Sequence, residues 1–169
     1  CAQVIEREYG GRMPGNYEEL LALPGIGNYT AGAISSIAFG QVNPAVDGNV
    51  LRVVTRVLAD DTDIMNTGFR SKVEQSLRSE MSGERPGDFN QAMMDIGATV
   101  CVPNGAPHCE ECPLHAFCKA CAKGTQTRYP VKKAQKERRV EDKTVLLMLD
   151  ADRIALHKRP SKGLLAGMY

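Results

Sequence analysis

The sequence predicts a mostly α-helical chain followed by the start of a β-containing domain. Apolar residues recur at helical spacing up to Val100, and the composition changes after Cys121. Between these two parts, four cysteines fall within eighteen residues. We therefore expect a helical core in 1–100, a cysteine loop in 101–121, a basic linker in 122–142 and a first β-hairpin in 143–169.

Glycines, prolines and capping residues divide the helical core. A first helix ends at Gly10-Gly11, and Asn16 caps a short second helix over 17–23. After a turn at 24–28, a third helix runs to about Phe39. Two further helices are expected over 69–81 and from Asp88, as their N-cap, to Val100.

The stretch over 46–59, "VDGNVLRVVTRVLA", is rich in β-branched residues, which favour a strand. Its apolar residues nevertheless recur at helical spacing, with Arg52 and Arg56 on another face. The spacing therefore predicts a helix. After the linker, "KTVLLML" and "RIALHKR" flank Asp150-Ala151-Asp152, as the two strands of a hairpin would.

The net charge of +1 does not by itself indicate a nucleic-acid partner. The charge is unevenly distributed, because residues 119–143 contain nine basic and three acidic side chains. Such a run is typical of a solvated linker or of a surface that faces phosphate. No apolar run is long enough to cross a bilayer, and no signal peptide is visible.

The stretch "LPGIGNYTAGAI", 23–34, places a Pro-Gly-x-Gly turn before a helix of small residues. Glycines allow the tight turn and let a ligand approach the backbone closely. The free N–H groups at the start of the helix suit an anion such as phosphate. A simple corner between two helices fits the same letters.

Cys101, Cys109, Cys112 and Cys118 form the pattern C-x7-C-x2-C-x5-C. Without a secretion signal, such a group indicates a metal site rather than disulfides. Both zinc and a four-iron four-sulfur cluster accept four thiolates, and the spacing leaves both open. Cys121 could stand in for Cys118, although a position on the helix that leaves the site is the simpler expectation.

Asp47 precedes the helix predicted to begin near Asn49. Aspartate at this place is a common helix cap. The same carboxylate, if it faced a cleft, would stabilise positive charge that develops on a sugar. Both roles are open at this point.

Several motifs in order resemble those of the helix-hairpin-helix DNA glycosylases that carry an iron-sulfur cluster. They are L-P-G-x-G-x-Y-T-A at 23–31, V-D-G-N-V at 46–50, N-Q-A-M-M-D-I-G at 90–97 and the four cysteines. With Tyr29, the sequence resembles the MutY-type adenine DNA glycosylases, because the endonuclease III branch has a lysine at the position of Tyr29. "VLLMLD" and "RIALHKRPSKGLLAGMY" resemble the opening of that family's C-terminal Nudix-like domain.

This resemblance implies a monofunctional enzyme of base excision repair that hydrolyses the N-glycosidic bond of adenine opposite 8-oxoguanine or guanine. Asp47 would stabilise the sugar cation, Asn49 would orient the sugar and base, and Tyr29 would line the pocket. The turn would bind the DNA backbone through Leu23, Pro24, Gly25, Ile26, Gly27, Asn28 and Thr30.

The resemblance also implies a four-iron four-sulfur cluster on Cys101, Cys109, Cys112 and Cys118. It implies double-stranded DNA with an adenine mispair as the partner, a monomeric protein, and a place in the bacterial cytoplasm at the nucleoid. The family's catalytic glutamate belongs to a segment before Cys1, so we expect residues 1–169 alone to be inactive.

One departure concerns the cysteines, since seven residues separate Cys101 from Cys109, one more than is usual in the family. An insertion near Gly105 would explain this spacing. Two other functions share many of these features. One is a bifunctional glycosylase and lyase of the endonuclease III type, and the other is a catalytically silent DNA-binding module held together by a metal.

Overall fold

The computed structural model describes residues 1–133, 140, 142 and 144–169. Within them the α-helices are α1 (Ala2–Glu8), α2 (Tyr17–Ala22), α3 (Asn28–Ile37), α4 (Gly48–Leu58), α5 (Thr67–Glu80), α6 (Pro86–Asp95) and α7 (Lys119–Ala122). A π-helical turn, Ile96–Val100, continues α6. Short 3-10 turns lie at Cys109–Glu111, His115–Phe117 and Gln126–Arg128. The predicted helical core is thereby confirmed.

The chain divides into two units, Cys1–Ala134 and Gln135–Tyr169. In the second unit, β1 (Leu149–Asp150) pairs antiparallel with β2 (Arg153–Ile154) around the Ala151-Asp152 turn. This is the two-stranded hairpin expected from the sequence, although each strand is only two residues long. All described residues of this unit are exposed, so they form no core among themselves.

The segment expected as a basic linker, 122–142, is only partly described by the structure, since residues 134–139 and 141 lie outside the described residues, as does Lys143. Its first part contacts the helical unit. The Arg56 side chain donates to the Tyr129 carbonyl, and the Ile64 N–H donates to the Val131 carbonyl. Residues up to Val131 therefore help to build the helical unit.

Two apolar clusters form the core of the helical unit. The first joins α2 and α3 through Leu20, Leu23 and Ala31. The second joins α4 and α5 through Val46, Val50, Leu51, Phe69 and Val73. Each fully buried Val or Leu side chain stabilises the fold by roughly 1.5–3 kcal/mol.

Residues 48–58 form a helix, as their apolar spacing predicts. Asp47 caps it by accepting a hydrogen bond from the Val50 N–H at 2.8 Å. Ala59 ends it in the left-handed region, with φ of 52°. Arg52 and Arg56 lie on a face that is also buried, with only 6% and 3% of their surface exposed.

Asn90 ties α6 to α3 and to the loop before α4. Its side-chain oxygen accepts from the Ala45 N–H at 2.9 Å, and its amide donates to Ser36 Oγ and the Asn43 carbonyl, both at 2.8 Å. The backbones also approach closely here, because a Cβ on Gly32 would lie 2.3 Å from the Pro44 carbonyl oxygen. This contact fixes the loop that leads into Asp47.

The start of α6 differs from the expectation that Asp88 is its N-cap. The helix begins at Pro86 with Arg85 as N-cap, and Asp88 lies in its first turn. Proline suits this first position because its missing N–H would have no helical partner. Asp88 forms an exposed ion pair with Arg85 instead.

In the part of the chain that the structure describes, no helix has both the length and the apolar character needed to cross a membrane.

Replacing Asn90 with alanine is expected to lower the free energy of unfolding by about 3 kcal/mol, because it leaves buried backbone and hydroxyl groups without partners. The exposed neighbour Gln91→Ala serves as the control and should change stability by less than about 0.5 kcal/mol. Urea unfolding of both variants measures the difference. Equal stability of the two variants would contradict the structural role given to Asn90.

Candidate functional site

The helical hairpin predicted from the Pro-Gly-x-Gly stretch is present as α2, a turn and α3. Asn16 caps α2, as predicted, by accepting from the N–H groups of Glu18 and Glu19 at 2.9 and 3.3 Å. Gly25 has a φ of +86°, a backbone conformation that favours glycine. Gly27 is the N-cap of α3, so no side chain occupies the start of that helix.

The turn presents an exposed backbone at the positive end of a ten-residue helix. Pro24, Gly25, Gly27 and Asn28 are exposed, and Ile26 and Thr30 are partly exposed. Leu23 differs from the rest of the predicted set, since its side chain is buried in the core at 2% exposure. Leu23 therefore anchors the turn, while the residues after it remain open to a ligand.

Tyr29 lies in the first turn of α3, with 38% of its surface exposed. Its hydroxyl donates a hydrogen bond to Met94 Sδ at 3.2 Å, which links α3 to α6. The structure does not place Tyr29 among the described residues that line the cleft beside Asp47. Of the three residues predicted to act together, the structure brings Asp47 and Asn49 to this cleft and leaves Tyr29 outside its described lining.

The Asp47 carboxylate has two structural partners and also faces open space. One oxygen caps α4 through the Val50 N–H, and the other accepts from the Asn49 amide at 2.8 Å. Asp47 is partly exposed and lines a cleft of about 790 Å³, which we call the Asp47 cleft. The two roles left open by the sequence are therefore compatible, because the carboxylate is a helix cap that borders a cleft.

The walls of the Asp47 cleft come from distant parts of the helical unit. Beside Asp47 and Asn49, the lining includes Arg52, Asn104, Tyr129 and Lys132. Gly105 lies in the same wall, is exposed and has a φ of +77°. Here the longer cysteine spacing forms an exposed turn that reaches the cleft, which the spacing alone did not indicate.

Asn49 is held in place by Arg52 and by Gly97. Arg52 Nη2 donates to Asn49 Oδ1 at 2.9 Å and to the Gly97 carbonyl, and its Nε donates to the Cys101 carbonyl at 2.7 Å. A Cβ on Gly97 would lie 2.6 Å from the Asn49 Cβ, so the two backbones are in direct contact. Burial, together with the neighbouring charge of Arg56, lowers the pKa of Arg52.

Arg56 continues this connection toward the cysteines. Its Nη1 lies 3.2 Å from Cys101 Sγ and 3.2 Å from the Cys101 carbonyl, and it donates to the Val102 carbonyl at 3.0 Å. A hydrogen-bond chain thus runs from the Asp47 carboxylate through Asn49 and Arg52 to Cys101. The sequence did not indicate that either arginine is a site residue. Its only sign of their role was the presence of two cations in a helix otherwise rich in valine.

The predicted cysteines line one cavity, which we call the cysteine cavity. Cys101, Cys109, Cys112 and Cys118 contribute to its wall, and Cys121 joins them. All five are free thiols. Burial and a hydrogen bond with the Cys121 thiol raise the pKa of Cys109 to about 11, and burial raises the pKa of Cys112.

The donor set of the cysteine cavity fits an iron-sulfur cluster. Clusters take four thiolates, and donors to sulfur stabilise them. Two such donors are present, since Arg56 Nη1 faces Cys101 Sγ and the Cys121 N–H faces Cys118 Sγ at 3.4 Å. Within the described residues, no group of three or more His, Cys, Asp or Glu side chains is arranged so that it could hold a single metal ion.

Cys121 is a fifth cysteine of the cavity, beyond the four predicted ligands. Two residues separate Cys121 from Cys118, as two residues separate Cys112 from Cys109. This second Cys-x2-Cys pair is visible in the sequence. The structure confirms that Cys121 lies on α7, the helix that leaves the site. The same helix nevertheless turns this thiol into the cavity.

Replacing Gly97 with alanine is expected to lower the free energy of unfolding by about 2 kcal/mol, because the new methyl group would overlap Asn49. Gly83→Ala is the matched control, since a Cβ there meets nothing within 4 Å. Denaturant unfolding of the two variants checks this expectation. A Gly97 variant as stable as the control would show that Asn49 can move aside freely.

Comparisons with known proteins agree with this arrangement. A family model described as "Helix-hairpin-helix motif" matches residues 8–37, which contain α2, the turn and the whole of α3. The human adenine DNA glycosylase is 48% identical over 120 residues, which cover 70% of this chain and 22% of the human protein. The chain therefore spans less than a quarter of the length of that relative.

Two solved structures share the fold. A thermostable thymine-DNA glycosylase superposes with a TM-score of 0.63 at 33% identity, covering 72% of this chain and 55% of that one. A non-covalent endonuclease III–DNA complex gives 0.59 at 30% identity, covering 73% and 56%. From the hairpin, the fold and this identity, the chain belongs to the helix-hairpin-helix DNA glycosylase superfamily, among the relatives of the adenine DNA glycosylases.

Proposed function

We propose that this chain is part of a monofunctional DNA glycosylase of base excision repair, which removes adenine opposite 8-oxoguanine or guanine. The observation that carries the proposal is the Asp47 carboxylate, which borders an open cleft in a helical unit that also presents an exposed helical hairpin. The similarity to the human adenine DNA glycosylase supports adenine as the base. The likeness to an endonuclease III–DNA complex supports DNA as the partner. The duplex form of that DNA and a monomeric protein are parts of the proposal.

The hairpin is the part proposed to bind the DNA backbone. The start of α3 favours a phosphate, because its N-cap residue, Gly27, has no side chain and the N–H groups and the helix dipole both attract negative charge. The turn residues Pro24, Gly25 and Asn28 are exposed beside it. Lys132, which is exposed in the wall of the Asp47 cleft, is a further cation available to a phosphate. Phosphate binding here would position the duplex and would carry no sequence information.

Asp47 is the proposed catalytic carboxylate. After the adenine is turned out of the duplex, cleavage of the glycosidic bond leaves positive charge on the sugar, and a carboxylate stabilises it. Asn49 donates to the Asp47 carboxylate and is held by Arg52, so it fixes the direction in which that oxygen points. Water then completes the hydrolysis. The general acid that protonates the purine is assigned to none of Glu6, Glu8, Glu18 and Glu19.

Tyr29 supports base removal without strand cleavage. A lyase of this superfamily needs an amine that forms an imine with the sugar, and a phenol cannot form one. Tyr29 is partly exposed in the first turn of α3, where it borders the proposed DNA-binding turn. It is therefore proposed to contact the substrate without reacting with it.

Cys101, Cys109, Cys112 and Cys118 are proposed to hold a four-iron four-sulfur cluster. When bound, the cluster supplies four metal–thiolate bonds that tie the loop after α6 to the region around α7. The chain itself contributes Arg56 and the Cys121 N–H as donors toward the ligating sulfurs. The β-hairpin over 149–154 is proposed to open a Nudix-like domain that contacts the base opposite the adenine.

The test of the function uses the full-length protein on a duplex with adenine opposite 8-oxoguanine. Asp47→Asn should lower the rate of adenine release by about 10²–10³-fold, because asparagine brings no negative charge. Asparagine caps helices as well as aspartate does, so stability and DNA binding should be kept. Strand breaks should appear only after hot alkali, and residues 1–169 assayed alone should release no adenine.

Asp63→Asn is the matched control, since the Asp63 carboxylate also accepts a backbone N–H, at 2.9 Å from Met65, and is not among the described residues of the Asp47 cleft. Full activity of Asp47→Asn would remove Asp47 from the catalytic step. An unsubstituted protein that gives no strand breaks, before or after alkali, would favour the silent DNA-binding module. Breaks before alkali would favour the lyase.

A second prediction concerns the hairpin. Gly25→Ala should weaken binding to duplex DNA by roughly tenfold or more, because a φ of +86° strains any other residue and the turn would rearrange. Gly10→Ala is the matched control, since Gly10 has a φ of +60° and a Cβ at either position meets nothing within 4 Å. Fluorescence anisotropy with a labelled duplex measures both. Equal affinities of the two variants would remove the turn from the DNA interface.

A further inference from the structure

We propose that Cys121 is a reserve ligand of the cysteine cavity, able to replace Cys118 in holding the iron-sulfur cluster. The inference rests on the cluster proposed above. It concerns a fifth thiol that the four-cysteine pattern leaves without a role. Four observations on α7 and its surroundings carry it.

The first observation is the position of the two thiols. Cys118 is the N-cap of α7, and its sulfur accepts a hydrogen bond from the Cys121 N–H at 3.4 Å. Residues three apart on a helix lie on the same face. Both sulfurs accordingly line the cysteine cavity.

The second observation is that Cys121 lines the same cavity as another proposed ligand from a different element. Cys121 lies on α7, whereas Cys109 begins a 3-10 turn. Both cysteines contribute to the wall of the cysteine cavity. Cys121 therefore borders the same space as the ligands on that side.

The third observation is that α7 is anchored independently of Cys118. Ala120 has no exposed surface, and its carbonyl accepts from the Thr125 N–H at 2.8 Å. Thr125 Oγ1 lies 3.4 Å from the same carbonyl. Loss of the Cys118 thiol would therefore leave Cys121 at its place in the wall.

The fourth observation is the spacing. Cys109 and Cys112 form one Cys-x2-Cys pair, and Cys118 and Cys121 form another. Each pair comes from a short turn that brings two thiols to the same side. Cys101 differs from these four, because it lies at the end of the π-helical turn and faces Arg56. Cys121 is therefore best placed to replace its own partner, Cys118.

The experiment compares Cys118→Ala, Cys121→Ala and the double variant of the full-length protein, purified without oxygen. Iron and sulfide per chain and the visible absorbance of the cluster are measured. Each single variant should keep most of the iron, whereas the double variant should hold roughly tenfold less. Cys1→Ala, an exposed cysteine outside the cavity, is the control for removal of a thiol.

Alkylation provides a second readout. In the unsubstituted protein, iodoacetamide should modify Cys121, because four other thiols hold the cluster. In Cys118→Ala, Cys121 should become protected. If the alanine variant does not fold, Cys118→Asn replaces it, because asparagine restores a cap for α7 and is a poor ligand for iron.

If Cys118→Ala holds as little iron as the double variant, Cys121 is not a reserve ligand. The proposal that the unsubstituted protein holds a cluster would still stand. An unsubstituted protein that contains zinc, or no metal, would instead overturn the cluster and this role of Cys121 together. The two failures are thus distinguishable from the metal content of the unsubstituted protein alone.

Discussion

The buried guanidinium groups of Arg52 and Arg56 fix how the two halves of the candidate site meet. Burying a charge without partners is costly, so each arginine must find acceptors inside the protein. They find them in the carbonyls of Gly97, Cys101, Val102 and Tyr129. Gly97 lies in the π-helical turn after α6, and Cys101 and Val102 begin the cysteine loop, so the position of α4 determines where that loop starts. Asp47 caps the N-terminal end of the same helix. The helix α4 therefore fixes the positions of both the Asp47 carboxylate and Cys101.

Features controlled by neighbouring residues were predictable from the sequence. Asn16 and Asp47 cap the helices that follow them because their side chains reach N–H groups two or three residues away. The hairpin turn was predictable for the same reason, since Gly25 adopts a conformation that other residues avoid. The spacing of valines in α4 outweighed their β-propensity because one face of that helix enters the core.

Features controlled by distant residues were not predictable. Asn90 has partners 45 to 54 residues away, and no local pattern distinguishes it from an exposed asparagine. Arg52 and Arg56 were assigned to a face separate from the valines, yet their partners exist only once residues 97–102 and 129 fold against α4. Asp88 was expected to be a cap because its type suits that position, but Pro86 starts the helix earlier. The proposed roles of Tyr29, Asp47 and the cysteines continue to rest on the resemblance and on chemistry.

The π-helical turn Ile96–Val100 has a consequence for how this region tolerates changes in length. A π-turn accommodates an additional residue within a helix, and each residue of an α-helix rotates the chain by roughly 100°. Deleting one residue here would let α6 continue as an α-helix and would rotate Cys101 away from Arg56. A change in length is therefore tolerable in the exposed turn around Gly105, because a loop can bulge there. It is not tolerable in the π-helical turn, because the rotation of that turn determines the direction of the Cys101 thiol. The π-helical turn and the turn around Gly105 are thus under opposite constraints on insertion and deletion.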